Sequence, residues 1–216
     1  MLQLDDRHGG PPLRERQAAA TRLQLLGAAQ TLFERDGYAS TSMAAIATAA
    51  GVSLKTVYLV FETKSGVLRA LWHHLLRGDR DAVPVGEQPW FREVLDEPDP
   101  RRQLALNMRN SRVVKVRAGA LLEVIQSAAA GDPAIGTLWH RIQTEFRANQ
   151  RAVIQSLADK HALKPELDVE AAADILWSLN SPGLYRLLAT ERGWSPERYE
   201  QWMTDLQCAQ LLAGHH

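Results

Sequence analysis

Residues 37–64 read GYASTSMAAIATAAGVSLKTVYLVFETK, and the spacing of their small, apolar and capping residues decides the fold. Thr41 or Ser42 stands where a side-chain oxygen accepts the free N–H groups of a helix start. Met43, Ile46, Ala47 and Ala50 then follow at i, i+3, i+4 and i+7. Gly51 halts that helix after two turns, Val52 is apolar, and Ser53 caps a second short helix running through Phe61. Two short capped helices around one glycine predict a helix-turn-helix, which presents its second helix outward. Val57 and Phe61, four apart, belong to the inner face, leaving Leu54, Lys55, Thr56, Tyr58 and Leu59 nearer the outer one.

Toward the N-terminus, Leu25, Leu26, Ala29, Leu32 and Phe33 recur at helical spacing between Gln17 and Asp36, and Gly37 sits where a helix C-cap belongs. Toward the C-terminus, Thr63 caps a fourth helix from Lys64, whose stripe is Val67, Leu68, Leu71, Trp72 and Leu75 and whose end lies near Gly78. Residues 1–16, with Gly9-Gly10-Pro11-Pro12, read as a flexible arm whose Arg7, Arg14 and Arg16 are within reach of phosphate. Pro84, Gly86, Pro89 and Pro100 break the stretch 81–100, leaving one short helix around Trp90 to Leu95. Beyond it the pattern is helical, with breaks at Gly131-Asp132-Pro133, Leu163 to Leu167, Pro182 and Gly193-Trp194. The last helix opens on Ser195-Pro196-Glu197. The expected organisation is an arm over 1–16, a helix-turn-helix domain over 17–63, a linking helix over 64–80 and a helical body over 81–216.

Composition narrows the function classes. The 216 residues are 45 % apolar with no formal net charge, so the chain supports a real core and is not a non-specific nucleic-acid coat. Residues 1–80 hold ten Lys/Arg against seven Asp/Glu, and the remainder fifteen against eighteen, a mild basic bias at the helix-turn-helix end. A single cysteine, Cys208, no charged-then-apolar leader and no apolar run near the roughly 18 residues of a membrane span predict a cytoplasmic protein without a membrane partner. No Glu-x-x-His pair, Gly-x-Ser-x-Gly or phosphate-binding glycine loop occurs, so neither catalysis, a metal nor a cofactor is expected. His73 and His74 are adjacent and diverge on a helix; His215 and His216 read as a tail.

A major groove about 12 Å wide admits one helix. Lys55 is then the first candidate for reading base edges, Tyr58 adds a hydroxyl for the backbone, and the helix starts at Thr41/Ser42 and Thr63/Lys64 are phosphate clamps.

Leu32-Phe33, Asp36-Gly37-Tyr38, Thr41-Ser42-Met43, Ile46-Ala47, Ala50-Gly51-Val52-Ser53, Thr56-Val57-Tyr58, Phe61 and Thr63-Lys64 through Leu68 together resemble the N-terminal signature of the TetR-type transcriptional regulators, in order and spacing. That resemblance implies an all-α protein: a three-helix helix-turn-helix DNA-binding domain joined by a fourth helix to a larger helical ligand-binding and dimerisation domain. It places DNA contacts at Thr41, Ser42, Ser53, Leu54, Lys55, Thr56, Tyr58 and Lys64. The chain departs from the pattern at Val60, where many members carry histidine, and at Lys55, where many carry glycine; one phosphate contact is thereby lost and base preference does not transfer.

The implied partners are a near-palindromic operator in double-stranded DNA, a second copy of the chain and a small-molecule effector. For the dimer interface the candidates are Ile175, Leu176 and Leu179 on one helix and Trp202, Met203 and Leu206 on the last. For an effector cavity they are Met108, Leu122, Trp139, Phe146, Trp177 and Asn180, with Pro182 expected to kink the chain beside Trp177 to Asn180. The competing expectation is a dimeric helical regulator that acts through a protein partner or without a ligand; salt-sensitive duplex binding separates the two.

Overall fold

The computed structural model describes residues 12–77 and 85–214; most of the N-terminal arm with Arg7, the stretch from Gly78 through Pro84, and His215-His216 lie outside the described residues. Among the described residues the chain is helical with no strand, its one β-bridge joining Leu163 and Leu212. These residues fall into two compact units divided between Leu71 and Trp72.

In the first unit, α1 (Leu13–Ser40) begins earlier than the apolar periodicity predicts, because the Leu-Arg-Glu-Arg-Gln-Ala run ahead of it is made of good helix formers. Gly37 breaks its regularity with φ 80° and ψ 166°, a conformation essentially confined to glycine. Then follow α2 (Met43–Ala49), α3 (Leu54–Phe61) and α4 (Lys64–Arg77). Leu25, Leu26, Ala29 and Phe33 of α1 are buried with Met43, Ile46 and Ala47 of α2, Val57 and Phe61 of α3, and Val67, Leu68 and Leu71 of α4. Each of these side chains larger than alanine contributes roughly 1.5–3 kcal/mol by leaving water. Gln24 Nε2 donates to the Ala50 carbonyl at 2.8 Å, tying α1 to the end of α2.

The second unit holds a 3-10 turn (Val85–Glu87), α5 (Pro89–Asp96), α6 (Pro100–Ala128), α7 (Pro133–Asp159), α8 (Val169–Leu179), α9 (Pro182–Tyr185) continued by a π-helical turn (Arg186–Glu191), and α10 (Pro196–Leu211). The helix starts follow side-chain chemistry: Asp99, Asp132, Asp168, Ser181 and Ser195 each accept a backbone N–H, and Pro fills the first turn after four of them. Pro182 therefore does not kink a helix from within. α8 ends at Leu179, and the proline opens the next helix, where its missing N–H is harmless. α7 packs on α8, and α6 on α10. Their buried faces form one cluster around Leu104, Ile154, Leu157, Leu176 and Leu211, and another of Met108, Tyr199 and Met203. Cys208 is buried, which pushes its thiol pKa up and marks it as a packing residue.

Candidate functional site

The chain bends by 112° between α2 and α3, the angle of a helix-turn-helix. Local hydrogen bonds set this corner. Ser42 Oγ accepts from Ala45 N at 3.1 Å, Gly51 takes φ 64°, Val52 N donates to the Ala47 carbonyl at 3.0 Å, and Ser53 Oγ accepts from Thr56 N at 3.1 Å. Val57 and Phe61 anchor α3 inward. Leu54, Tyr58 and Leu59 stand outward with 41 %, 49 % and 75 % exposure, beside exposed Lys55 and half-buried Thr56. Three large exposed apolar groups on an eight-residue helix are costly in water unless that face meets something. Leu59, a residue type that packs more often than it reads, stands on the outer face of α3 and is the most exposed of the three.

Two predicted contacts are turned inward instead. Thr41 is buried and its hydroxyl donates to the Gly37 carbonyl at 2.8 Å. Lys64 Nζ donates to the Tyr38 carbonyl at 2.7 Å and to the Ala39 carbonyl at 3.4 Å, and lies 4.2 Å from the centre of the Tyr38 ring. Both residues brace the end of α1 against the helix-turn-helix. Ser42 and Ser53 are exposed but already cap their helices. Between α3 and α4, Glu62 has φ 61° and ψ −48°, and Thr63 N reaches back to the Phe61 carbonyl at 2.6 Å. This is a γ-turn of the strained kind.

The second unit contains a cavity of about 830 Å³, open mouth included. Its apolar wall is Trp72, Trp90, Phe91, Leu122, Ile142 and Phe146; its polar wall is Asn107, Asn110, Ser111, Lys115, Gln150 and Asn180. Of the predicted effector residues, Leu122, Phe146 and Asn180 line it. Met108 does not, being fully buried against Tyr199 and Met203, and Trp139 and Trp177 lie off its wall. Lys115 escaped the sequence reading, because one lysine on a helix ordinarily marks a solvated face.

Among the predicted interface residues, Leu176 and Met203 are fully buried within the chain and serve its own core. Ile175, Leu179 and Leu206 are half-buried, and Trp202 is 42 % exposed with its ring edge-on to Trp194 at 5.6 Å. Among the described residues no group of three or more His, Cys, Asp or Glu could hold a metal, and no single helix is long and apolar enough to cross a membrane.

A capped helix-turn-helix with an outward helix, followed in the chain by a helical unit with a cavity, defines a DNA-binding regulator. Residues 25–71 match the family model described as bacterial regulatory proteins, tetR family. A probable HTH-type transcriptional regulator ArpR of Pseudomonas putida is 28 % identical over 73 % of this chain and 75 % of its own length. The HTH-type transcriptional regulator TtgR, also of Pseudomonas putida, is 27 % identical over the same shares. Among solved structures, the complex of SmeT with triclosan has TM-score 0.70 at 20 % identity, covering 90 % of this chain and 92 % of that one. A transcriptional regulator from Saccharomonospora viridis in complex with choline has TM-score 0.71 at 17 % identity, covering 91 % and 100 %. At those identities they establish the fold. Residues 25–71 thus carry the signature of the tetR-family DNA-binding segment, in a chain whose fold is that of solved transcriptional regulators.

Proposed function

We propose that this chain is a homodimeric, cytoplasmic repressor that grips a near-palindromic operator and is released when a small molecule enters the cavity of its second unit. The outward face of α3 carries the reading: Leu54, Lys55, Tyr58 and Leu59 are the side chains free to enter a major groove, with Ser42, Ser53 and Thr56 at the helix starts toward phosphate. Apolar Leu54 and Leu59 suit thymine methyl groups, and Lys55 suits guanine acceptors. Thr41 and Lys64 act indirectly, by holding the corner. The exposed faces of α8 and α10, with Ile175, Leu179, Trp202 and Leu206, pair two copies. They would set the two α3 helices about 34–36 Å apart, or a multiple of that, on one face of the duplex.

The cavity supports a small-molecule trigger, and the triclosan and choline complexes of the structural neighbours favour the same logic. The effector must bind the DNA-incompetent conformation more tightly than the competent one, since equal affinity shifts nothing. α4, which runs without interruption from Lys64 past Leu71, is the element through which that preference would pass.

The test is selection of bound duplexes from a random pool, followed by release trials with apolar and amphipathic compounds on wild type and on Val114→Trp, whose indole fills the cavity that Val114 lines. The expected result is a palindromic consensus bound by two chains and released by at least one compound from wild type but not from the filled variant. Enrichment without any symmetry, or release equally effective in the filled variant, would refute the repressor mechanism.

A further inference from the structure

Among the described residues, no carboxylate pairs with the lysine buried in the cavity wall. Lys115, from α6, is 4 % exposed; its Nζ donates to Ser111 Oγ at 2.9 Å and to Asn180 Oδ1, and lies 5.5 Å from the centre of the Tyr199 ring. Asn180 Nδ2 in turn donates to Gln150 Oε1 at 3.3 Å, which also accepts from Asn107 Nδ2 at 3.1 Å. All of these partners are neutral. Among the described residues Glu145 is the one carboxylate lining the cavity, and it already accepts from Arg141 Nε at 2.8 Å. Desolvation without a counter-charge brings the Lys115 pKa down to about 7.

A buried cation with no acid is an expensive way to fill space, and an apolar side chain of similar volume would stabilise the fold more. The cost is offset if a ligand brings the missing charge into a dry site, where charge-assisted hydrogen bonds are strong. Opposite the lysine stand Trp90, Phe91, Ile142 and Phe146, which demand an apolar, ring-sized body.

We propose that this cavity takes a weak organic acid, its apolar body against the aromatic wall and its carboxylate or phenolate oxygen on Lys115. The inference rests on the reading of the cavity as the effector site and adds the ligand class. Proton linkage follows. Among the described residues, Lys115 and Glu145 are the titratable groups lining the cavity; α4 contributes Trp72 and Leu76, which do not titrate. Behind Lys115, the buried Tyr199 phenol is held well above its ordinary pKa and stays neutral. Below pH 7 the ammonium is present to receive the anion. Above pH 7 each bound carboxylate must draw in a proton, so its affinity falls about tenfold per pH unit while that of a ligand with no acidic proton stays flat.

The test uses the full chain, 1-naphthoate and its neutral counterpart 1-naphthamide, with N-phenyl-1-naphthylamine as an uncharged fluorescent reporter displaced by either. At pH 6 the acid is expected to bind about 10- to 100-fold tighter than the amide. Lys115→Met should keep the reporter and lose that preference, and the wild-type pH profile gives the same answer without any variant. Reporter binding with equal affinities for acid and amide, or a preference retained in Lys115→Met, overturns the proposal alone. Failure of reporter, acid and amide alike to bind wild type overturns it together with the effector reading.

Discussion

Gly66 and Gly27 are both helical glycines, and the same substitution should move them in opposite directions. Alanine favours a helix over glycine by about 1 kcal/mol. At Gly27, on the exposed side of α1, an added methyl group meets nothing within 4 Å, so Gly27→Ala should stabilise the first unit by about that amount. At buried Gly66, in the first turn of α4, the same methyl would stand under 3.0 Å from the Phe61 carbonyl oxygen and 3.1 Å from Thr63 Oγ1. That carbonyl is backbone, fixed by the Thr63 N–H in the tight turn around Glu62, and cannot swing away. Overpacking of this kind costs about 1–3 kcal/mol or more, which outweighs the propensity gain. For a unit of this size each kcal/mol moves the melting midpoint by about 4–8 °C. Thermal unfolding of the full chain, followed in the transition lost when duplex binding is lost, should show Gly66→Ala melting several degrees lower and Gly27→Ala several degrees higher. A Gly66→Ala midpoint at or above wild type would refute the close approach that shapes the α3–α4 corner.

Further outcomes follow from other residues. Ser53→Ala removes the acceptor for Thr56 N and should lower first-unit stability by about 1 kcal/mol in denaturant titration, whereas Ser53→Asp, which can still cap, should not. Glu62→Gly relieves a positive φ and should raise the same midpoint by about 1 kcal/mol; a drop would mean that the turn is unstrained. Lys64→Met should weaken every duplex alike and lower the first unit's melting temperature as well, because the ammonium braces the Tyr38 carbonyl. A binding loss with unchanged melting would return Lys64 to direct phosphate contact. For Lys115, the folded pKa near 7 lies below the unfolded value of 10.5, so between these the unfolded chain binds more protons and stability rises with pH. From pH 7 to pH 9 the second unit should gain roughly 2 kcal/mol, at 1.36 kcal/mol per unit of full linkage, and Lys115→Met should flatten that slope.

The sequence was most legible where structure is set by neighbours along the chain. Gly51, Ser53, Asp132-Pro133 and Ser195-Pro196 announce helix ends by backbone and capping chemistry alone, and the structure places caps or breaks at each. It was least legible where the partner is distant in sequence. An apolar stripe does not say whether it faces its own chain or another, and so Leu176 and Met203 read as interface while serving the core. Thr41 and Lys64 carry the residue types of phosphate contacts, yet in the structure they donate to the carbonyls of Gly37 and Tyr38. The polar wall of the cavity assembles Asn107, Lys115, Gln150 and Asn180 from three separate stretches of chain, and no periodicity in any one of them reveals it.

The central claim is that the outward face of α3 reads base edges in a symmetric site, and the most direct measurement compares the duplex consensus selected by wild type with that selected by Lys55→Ala. The account predicts a palindrome in which the variant loses preference at one position of each half-site and keeps the remainder, with a discrimination loss of about 1–3 kcal/mol there. An identical consensus from both proteins, or no enrichment by wild type, would contradict it.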